Sequence, residues 1–487
     1  MYENNIHFAG NGPGAGCFQR RLGTKERAGE KFRGILKNTT SIEEYLGKIF
    51  LWAIFIYISV RLFLFHVYPA PLPEGDAASY LLLAKYPLLS KTILFGDRPP
   101  GYPIFLKLFS GNLNFIYSTQ FVISSASAVL FMWIIYRLTK NSYLKILGLT
   151  SLVIFFLNPN LIIWDKWVIT ESLTFSIFFI LFSLLLATAQ KPRIYKLLFI
   201  AASWIYWGSL RDGNIYLLLF FCFYILFAAA VQFLEKKYLL ICIPLIIFFL
   251  YSNYAINENH RYWISLTNVI SLRVLNDRDR LEYFEKHGMP VDHDVMQRNG
   301  RGAADDFDNF FKSIGLQNFR KWLFKDGKKT YEKYLLTHFG YLSLEPLWHR
   351  PSESGNIHRA IRDLSIKELF ETRIEEGYLL ERIPTSIRRW LWPVINFYFV
   401  IGIYFLAVIF MIKGAVWKST KVKKEMNFIL FFIVFSYPFM LVLWHGDSWD
   451  VWRHLLPALT EFNLGVILFI WFLLDEFLTR TKRMNEE

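Results

Sequence analysis

Cysteine is scarce in this chain. Three residues, Cys17, Cys222 and Cys242, supply neither a disulfide framework nor the paired spacing of a zinc site. Cys222 and Cys242 sit inside apolar runs and read as small buried side chains. Charge is also scarce, at 19% of residues, against about a quarter in an ordinary soluble domain. A glycine-rich phosphate loop of the nucleotide-binding kind is missing. His445 and His454 stand nine apart with carboxylates between them, without the tight spacing of a metal-ligand pair. No internal repeat and no low-complexity tract appear. These absences argue against a disulfide-stapled secreted module, a cytosolic nucleotide-sugar enzyme and an obligatory metal centre.

What is abundant is apolar surface. The hydrophobic fraction is 54%, with 48 Phe, 26 Tyr and 16 Trp, and the mean hydropathy is +0.29. That surplus of large apolar side chains needs lipid as its solvent, because several runs approach the roughly 20 residues that cross a bilayer. The sequence therefore predicts an all-α polytopic membrane protein of about ten transmembrane helices. The candidate spans are 46–67, 115–137, 146–164, 168–189, 194–210, 214–234, 238–252, 390–412, 426–444 and 455–474. The third carries Asn158-Pro159-Asn160 near its end, and the fifth and seventh are short. Interrupted helices of this kind are tolerated where they border a protein-lined cavity.

The formal net charge of +14 fits this topology better than it fits nucleic acid. With the N-terminus placed inside, the short inner segments hold 24 Lys and Arg against 7 in the short outer loops, as the positive-inside rule requires. Both ends are then cytoplasmic in a multi-pass cell membrane protein. Residues 1–45 read as a flexible basic tail, 46–252 as an N-terminal membrane module, 253–389 as a mainly helical extracytoplasmic insertion, 390–476 as the C-terminal membrane helices and 477–487 as a short inner tail. The first outer loop, 68–114, is too long to be a plain connection and is expected to hold amphipathic helices beside the membrane.

Chemistry gathers in the outer loops. Asp76 and Tyr80 are four apart, on one face of any helix that starts there, and Asp76 suits the positive end of that helix. The same pattern also fits a simple cap. Gly96-Asp97-Arg98-Pro99-Pro100-Gly101-Tyr102-Pro103 sets an arginine fork ahead of a stiffened backbone, a fixed cation for a phosphate; an arginine bound to lipid head groups is the plainer reading. Trp164-Asp165-Lys166-Trp167 leads to Thr170-Glu171-Ser172-Leu173, with Glu171 at the apolar boundary, where an ionisable group is costly and usually serves a purpose. Arg211-Asp212 and the closing run His445-Gly446-Asp447-Ser448-Trp449-Asp450-Val451-Trp452-Arg453-His454 complete the set.

These pieces together resemble the GT-C superfamily of membrane glycosyltransferases, in particular its protein O-mannosyltransferase and lipid A aminoarabinose transferase branch. The likeness rests on Asp76, the Asp76–Tyr80 spacing, the Arg98-Pro-Pro-Gly-Tyr-Pro103 run, Thr170-Glu171-Ser172-Leu173 and Arg453-His454-Leu455-Leu456-Pro457. It covers roughly residues 46–215. Gly75 stands where some relatives carry a second acidic residue. The resemblance implies a polyprenyl-phosphate-linked sugar donor, an inverting transfer to a lipid, glycan or protein acceptor, and Asp76 as the general base. It implies a donor site drawn from Tyr80, Arg98, Tyr102, Asp165, Lys166, Glu171, Arg211, Arg453 and His454. No cofactor is required by it, and a divalent metal stays open because some members use one. The alternatives from other classes are a transporter or lipid flippase, and a non-catalytic assembly subunit. No nucleic-acid partner is expected.

Overall fold

A computed structural model describes residues 43–67, 69–189, 191–232, 234–303, 307–348, 365–367, 397–417 and 424–486. Residues 1–42 of the expected N-terminal tail, the loop 418–423, the start of the eighth span at 390–396 and the parts of the expected insertion at 304–306, 349–364 and 368–389 lie outside them. Among the described residues every regular element is a helix.

Six of these helices are long and apolar enough to cross a membrane, which makes this a multi-pass membrane protein. They are α1 (Glu43–Val67), α5 (Leu113–Leu138), α8 (Glu171–Thr188), α11 (Leu239–Glu258) with its leading turn, α21 (Lys424–Gly446) and α22 (Val451–Glu486). The third expected span is not one straight rod. Helix α6 (Ser142–Phe156) ends, Asn158 caps a new turn by accepting from Asn160 N at 3.0 Å, and α7 (Pro159–Ile162) leaves with Pro159 in its first turn. The two arms are bent by 57°. Proline offers no N–H to the preceding turn and crowds the carbonyl behind it, so the break falls where the ring is. Helices α9 (Ile194–Leu210), α10 (Asn214–Ala230) and the apolar part of α20 (Phe397–Trp417) are shorter. Six of the ten expected spans thus appear as full-length apolar helices. Two helices outrun their expected ends: α11 continues to Glu258 rather than stopping at 252, and α22 begins at Val451 and runs 36 residues. A helix persists past its apolar stretch as long as no residue breaks its hydrogen-bond ladder.

The bundle core is aromatic. Phe178 and Phe182 on α8 meet Phe432 on α21 at 5.2 and 4.5 Å between ring centres, and Trp204, Trp207 and Trp444 are fully buried. The two ends of the bundle are tied differently. At one, Asp475 accepts from the backbone of Lys140 and Asn141 (3.0 and 2.8 Å), Tyr238 donates to Thr188 O, and Lys424 lies 3.5 Å from Glu235. At the other, the N-termini of α8, α10 and α22 gather with the C-termini of α9 and α21.

Three short helices of the first loop, α2 (Asp76–Leu83), α3 (Lys91–Phe95) and α4 (Gly101–Lys107), pack on that second end. Ala77, Tyr80, Tyr102, Phe105 and Leu106 form one apolar cluster with Ile116, Leu173 and Leu210 of the bundle. Gly101 permits the contact of α4 with α9, since a Cβ there would lie 2.8 Å from the backbone oxygen of Ser209. The expected insertion is helical where it is described, as α12 (Trp263–Val269), α13 (Arg278–Lys286), α14 (His293–Met296), α15 (Phe307–Lys312), α16 (Gln317–Trp322), α17 (Lys328–Thr337), α18 (Phe339–Ser343) and α19 (Glu345–Trp348).

Candidate active site

Asp76 opens α2, and its two carboxylate oxygens are both engaged. Oδ1 accepts from Arg98 Nη2 at 2.6 Å, and Oδ2 accepts from Arg453 Nη2 at 2.8 Å. Residues 377 positions apart in the chain are thereby joined. The site is not sealed: the Asp76 and Arg98 side chains are 30% and 27% exposed. Burial pushes the Asp76 carboxyl up, but the Arg453 and Arg98 guanidiniums, with added hydrogen bonding from Arg453, outweigh it and hold the group well below the usual carboxylate range.

Arg98 is positioned from three sides. Its Nε donates to Ser79 Oγ at 3.1 Å, its guanidinium lies 5.4 Å from the centre of the Tyr80 ring, and Ser79 in turn donates to Asp76 O at 2.7 Å. The preceding turn is anchored as well, because Arg261 Nε donates to Gly96 O at 2.6 Å while its Nη1 donates to Asp212 at 3.1 Å. Burial pushes the Asp212 carboxyl up against the pull of Arg261.

A second carboxylate lies behind the first. Glu171, the first residue of α8, is almost wholly buried. Its Oε1 stands 3.4 Å from Arg453 Nε and 3.5 Å from Arg211 Nη1. Those two nitrogens are buried and have no hydrogen-bond partner. Arg211 reaches on to His454, whose Nδ1 is 2.6 Å from Arg211 Nη2. The His454 Nε2 faces Asp447 Oδ2 at 3.8 Å, and Asp447 accepts from Ser265 (3.0 Å), Asn268 (2.9 Å) and Trp449 N (2.9 Å). The chain of groups from Arg98 to Asp447 thus contains three arginines facing Asp76 and Glu171. Three guanidiniums gathered around two carboxylates, with Arg98 and Asp76 partly open to solvent, suit an incoming anion.

Of the residues expected for the site, Asp76, Arg98, Glu171, Arg211, Arg453 and His454 come together. Tyr80 and Tyr102 stand beside them but inside the core. Tyr80 is 6% exposed, burial pushes its phenol up to about 12, and its ring meets Tyr102 edge-on at 5.1 Å. Tyr102 is fully buried and donates to Gln120 Oε1 at 2.7 Å. Their part is to support Arg98 and α4, because the face of α2 that carries Tyr80 is the face that packs on the bundle.

Asp165 and Lys166 belong elsewhere. Asp165 is buried and accepts from Arg61 Nη2 (2.5 Å), Ser124 (2.9 Å) and Ser172 (2.8 Å). Lys166 lies over the Phe65 ring at 4.7 Å and lines a small cavity with Arg61, Phe121 and Asp165. The reason is helical phase: Glu171 and Ser172 are neighbours in the chain but point about 100° apart on α8. One serves the Arg211–Arg453 group, and the other serves Asp165. Arg61, Ser79 and Gln120 were missed by sequence reasoning, and Asp447 was named only as part of the closing run. Arg61 alone carried a signal, being an arginine within an apolar run. Among the described residues, no group of three or more His, Cys, Asp or Glu could hold a metal ion.

No family model matches this chain, and a search of curated proteins finds no match to it.

Proposed function

We propose that this protein is a membrane glycosyltransferase. It takes a sugar from a polyprenyl-phosphate carrier and passes it, with inversion, to a lipid, glycan or protein acceptor on the extracytoplasmic side of the cell membrane. The observation that carries the reading is the double clamp on Asp76 by Arg98 and Arg453, partly open to solvent, at one end of a bundle of membrane-crossing helices. Such a site meets the two demands of the reaction: cations for a lipid-linked phosphate and a carboxylate beside them, at a depth where the carrier's tail lies in lipid.

In the resting arrangement Asp76 is a poor base, since two guanidiniums stabilise its ionised form. A phosphodiester entering the site competes for both. As Arg98 and Arg453 turn to the phosphate, with Arg211 completing the set, the carboxylate loses partners and its basicity rises. The acceptor hydroxyl then gives its proton to Asp76 while its oxygen forms a bond to the anomeric carbon. The bond from that carbon to the phosphate oxygen breaks, and polyprenyl phosphate leaves with the electron pair, its charge held by the arginines. The carboxylate also faces the positive character that develops on the sugar ring. Glu171 keeps Arg453 and Arg211 aimed. No step draws on a metal.

This reading takes the bent pair as one crossing and counts α9, α10 and α20 as crossings too. About ten spans result, with both termini in the cytoplasm, as the positive-inside distribution requires. A transporter or flippase would need two compartments to act. Turnover by purified protein in detergent, supplied with a panel of polyprenyl-phosphate sugars and acceptors, therefore separates the two. Asp76→Asn is expected to abolish transfer while leaving expression and membrane insertion near wild type. Near-normal turnover in that variant would remove Asp76 from the role of base.

A further inference from the structure

The described part of the insertion holds a segment whose outward face contains no charge. From Leu336 to Trp348 the exposed large side chains are Leu336 (80%), Phe339 (73%), Leu344 (57%) and Trp348 (46%). Thr337 and Gly340 are the other exposed residues there. Within Leu336–Trp348 the ionisable side chains besides the Tyr341 phenol are His338, whose Nδ1 lies 3.0 Å from Tyr334 O, and Glu345. Glu345 is neutralised: Arg280 Nη2 lies 2.5 and 2.7 Å from its two oxygens, and the same guanidinium rests 4.5 Å from the Tyr341 ring centre. A water-facing helix–turn–helix has no reason to set four large apolar groups side by side and to pair off its only acid.

The depth of this segment is fixed by two hydrogen bonds to α21. His445 donates through Nε2 to Leu342 O at 2.9 Å, and Tyr437 donates through its hydroxyl to Ser343 O. Positions 437 and 445 are eight residues apart on a membrane-crossing helix that ends at Gly446, so their levels differ by about 12 Å. Leu342 and Ser343 hang between those levels, below the end of the span and not above it. The same surface continues onto α20. Trp348 packs edge-on against Phe397 at 5.5 Å, and the next residues of that apolar helix, Tyr398 and Phe399, are 64% and 52% exposed.

We infer that Leu336–Trp348 is a membrane element, set into the lipid leaflet on the active-site side of the bundle, with Phe339, Leu344 and Trp348 against acyl chains. Its occupant is the leaflet itself, because the patch is continuous with the lipid-facing side of α20 and lies within the thickness spanned by α21. The element anchors the insertion to the membrane through a tryptophan and apolar side chains of the kind that hold interfacial helices. This inference needs only that α21 crosses the bilayer and is independent of the transferase reading.

The test uses the full chain with Cys17 replaced by serine, the two other cysteines being buried in the bundle. Nitroxide labels are placed at Phe339→Cys and Leu344→Cys, with Glu332→Cys on the polar side of α17 as reference, in nanodiscs holding one copy each. Collision with oxygen, which concentrates in hydrocarbon, is compared with collision with a water-soluble nickel chelate. Oxygen is expected to dominate at 339 and 344, and nickel at 332. Dominance of nickel at 339 and 344 would overturn the inference. So would spin–spin broadening at either site that appears only when two copies share a disc and displaces oxygen access, since the face would then belong to a second copy. Should either cysteine prevent folding, Leu336→Cys and Trp348→Cys read the same face.

Discussion

At the scale of single residues, the proposed chemistry rests on how Asp76 is held. Its two oxygens are taken by arginines from opposite parts of the chain, which keeps it ionised and weakly basic in the resting site. The lowered pKa has a defined consequence for stability. Relative to the ordinary carboxylate value near 4, the folded state releases the proton more readily, so the ion pairs contribute fully above that value and are lost as pH falls through the lowered one. Thermal unfolding of wild type and Asp76→Asn in detergent should therefore differ by a constant amount from about pH 8 down to about pH 5, and the gap should begin to narrow below about pH 4 and close only as pH falls through the lowered folded-state value. Glu171 makes a second residue-level test. It touches Arg453 and Arg211 without reaching the solvent-exposed rim. Glu171→Gln is expected to lower kcat/KM by about 10- to 100-fold, the effect of misplacing charged hydrogen-bond donors. The loss should appear largely as raised KM for the lipid-linked donor. An unchanged KM with lowered kcat would assign Glu171 to the transition state instead.

At the scale of elements, the short helices of the first loop are what turn a motif into a site. Arg98-Pro99-Pro100-Gly101-Tyr102-Pro103 reads in sequence as a stiff segment behind an arginine, and α4 begins within it, at Gly101. What the run cannot announce is that Gly101 must lie against the backbone of Ser209 on α9. Gly101→Ala is expected to destabilise the fold by about 1–3 kcal/mol, as overpacking does. It should also reduce transfer, because α4 and the arginine ahead of it would be levered away from Arg453. Differential scanning of the purified variant beside its donor kinetics checks both. The same lesson holds for Tyr80. The i, i+4 spacing with Asp76 was legible, but which face of α2 meets the bundle was not, and that face turned Tyr80 into a core support for Arg98.

At the scale of the whole molecule, the expected short inner and outer loops that are described fall at opposite ends of the bundle, with the ionic cluster at one of them. Reporter fusions in the loops 139–141 and 235–238 are expected to report a cytoplasmic environment, and a fusion within 259–262 an extracytoplasmic one. A reversed pattern would place the site on the side where nucleotide-sugars are available and would undo the argument for a lipid carrier.

Composition and hydropathy were enough to establish an all-helical multi-pass membrane protein. The reason is that lipid demands long apolar runs and internally satisfied backbone, a constraint written along the chain itself. The residues that would meet at the site were also partly legible, since ionisable groups at apolar boundaries stand out one by one. Tertiary packing alone decided which of them meet. It drew Arg453 to Asp76 across the chain, sent Asp165 to Arg61, and placed Asp447 behind His454. Those outcomes depend on helix phase and on which ends of which helices are neighbours, and neither is encoded in the local spacing of residues.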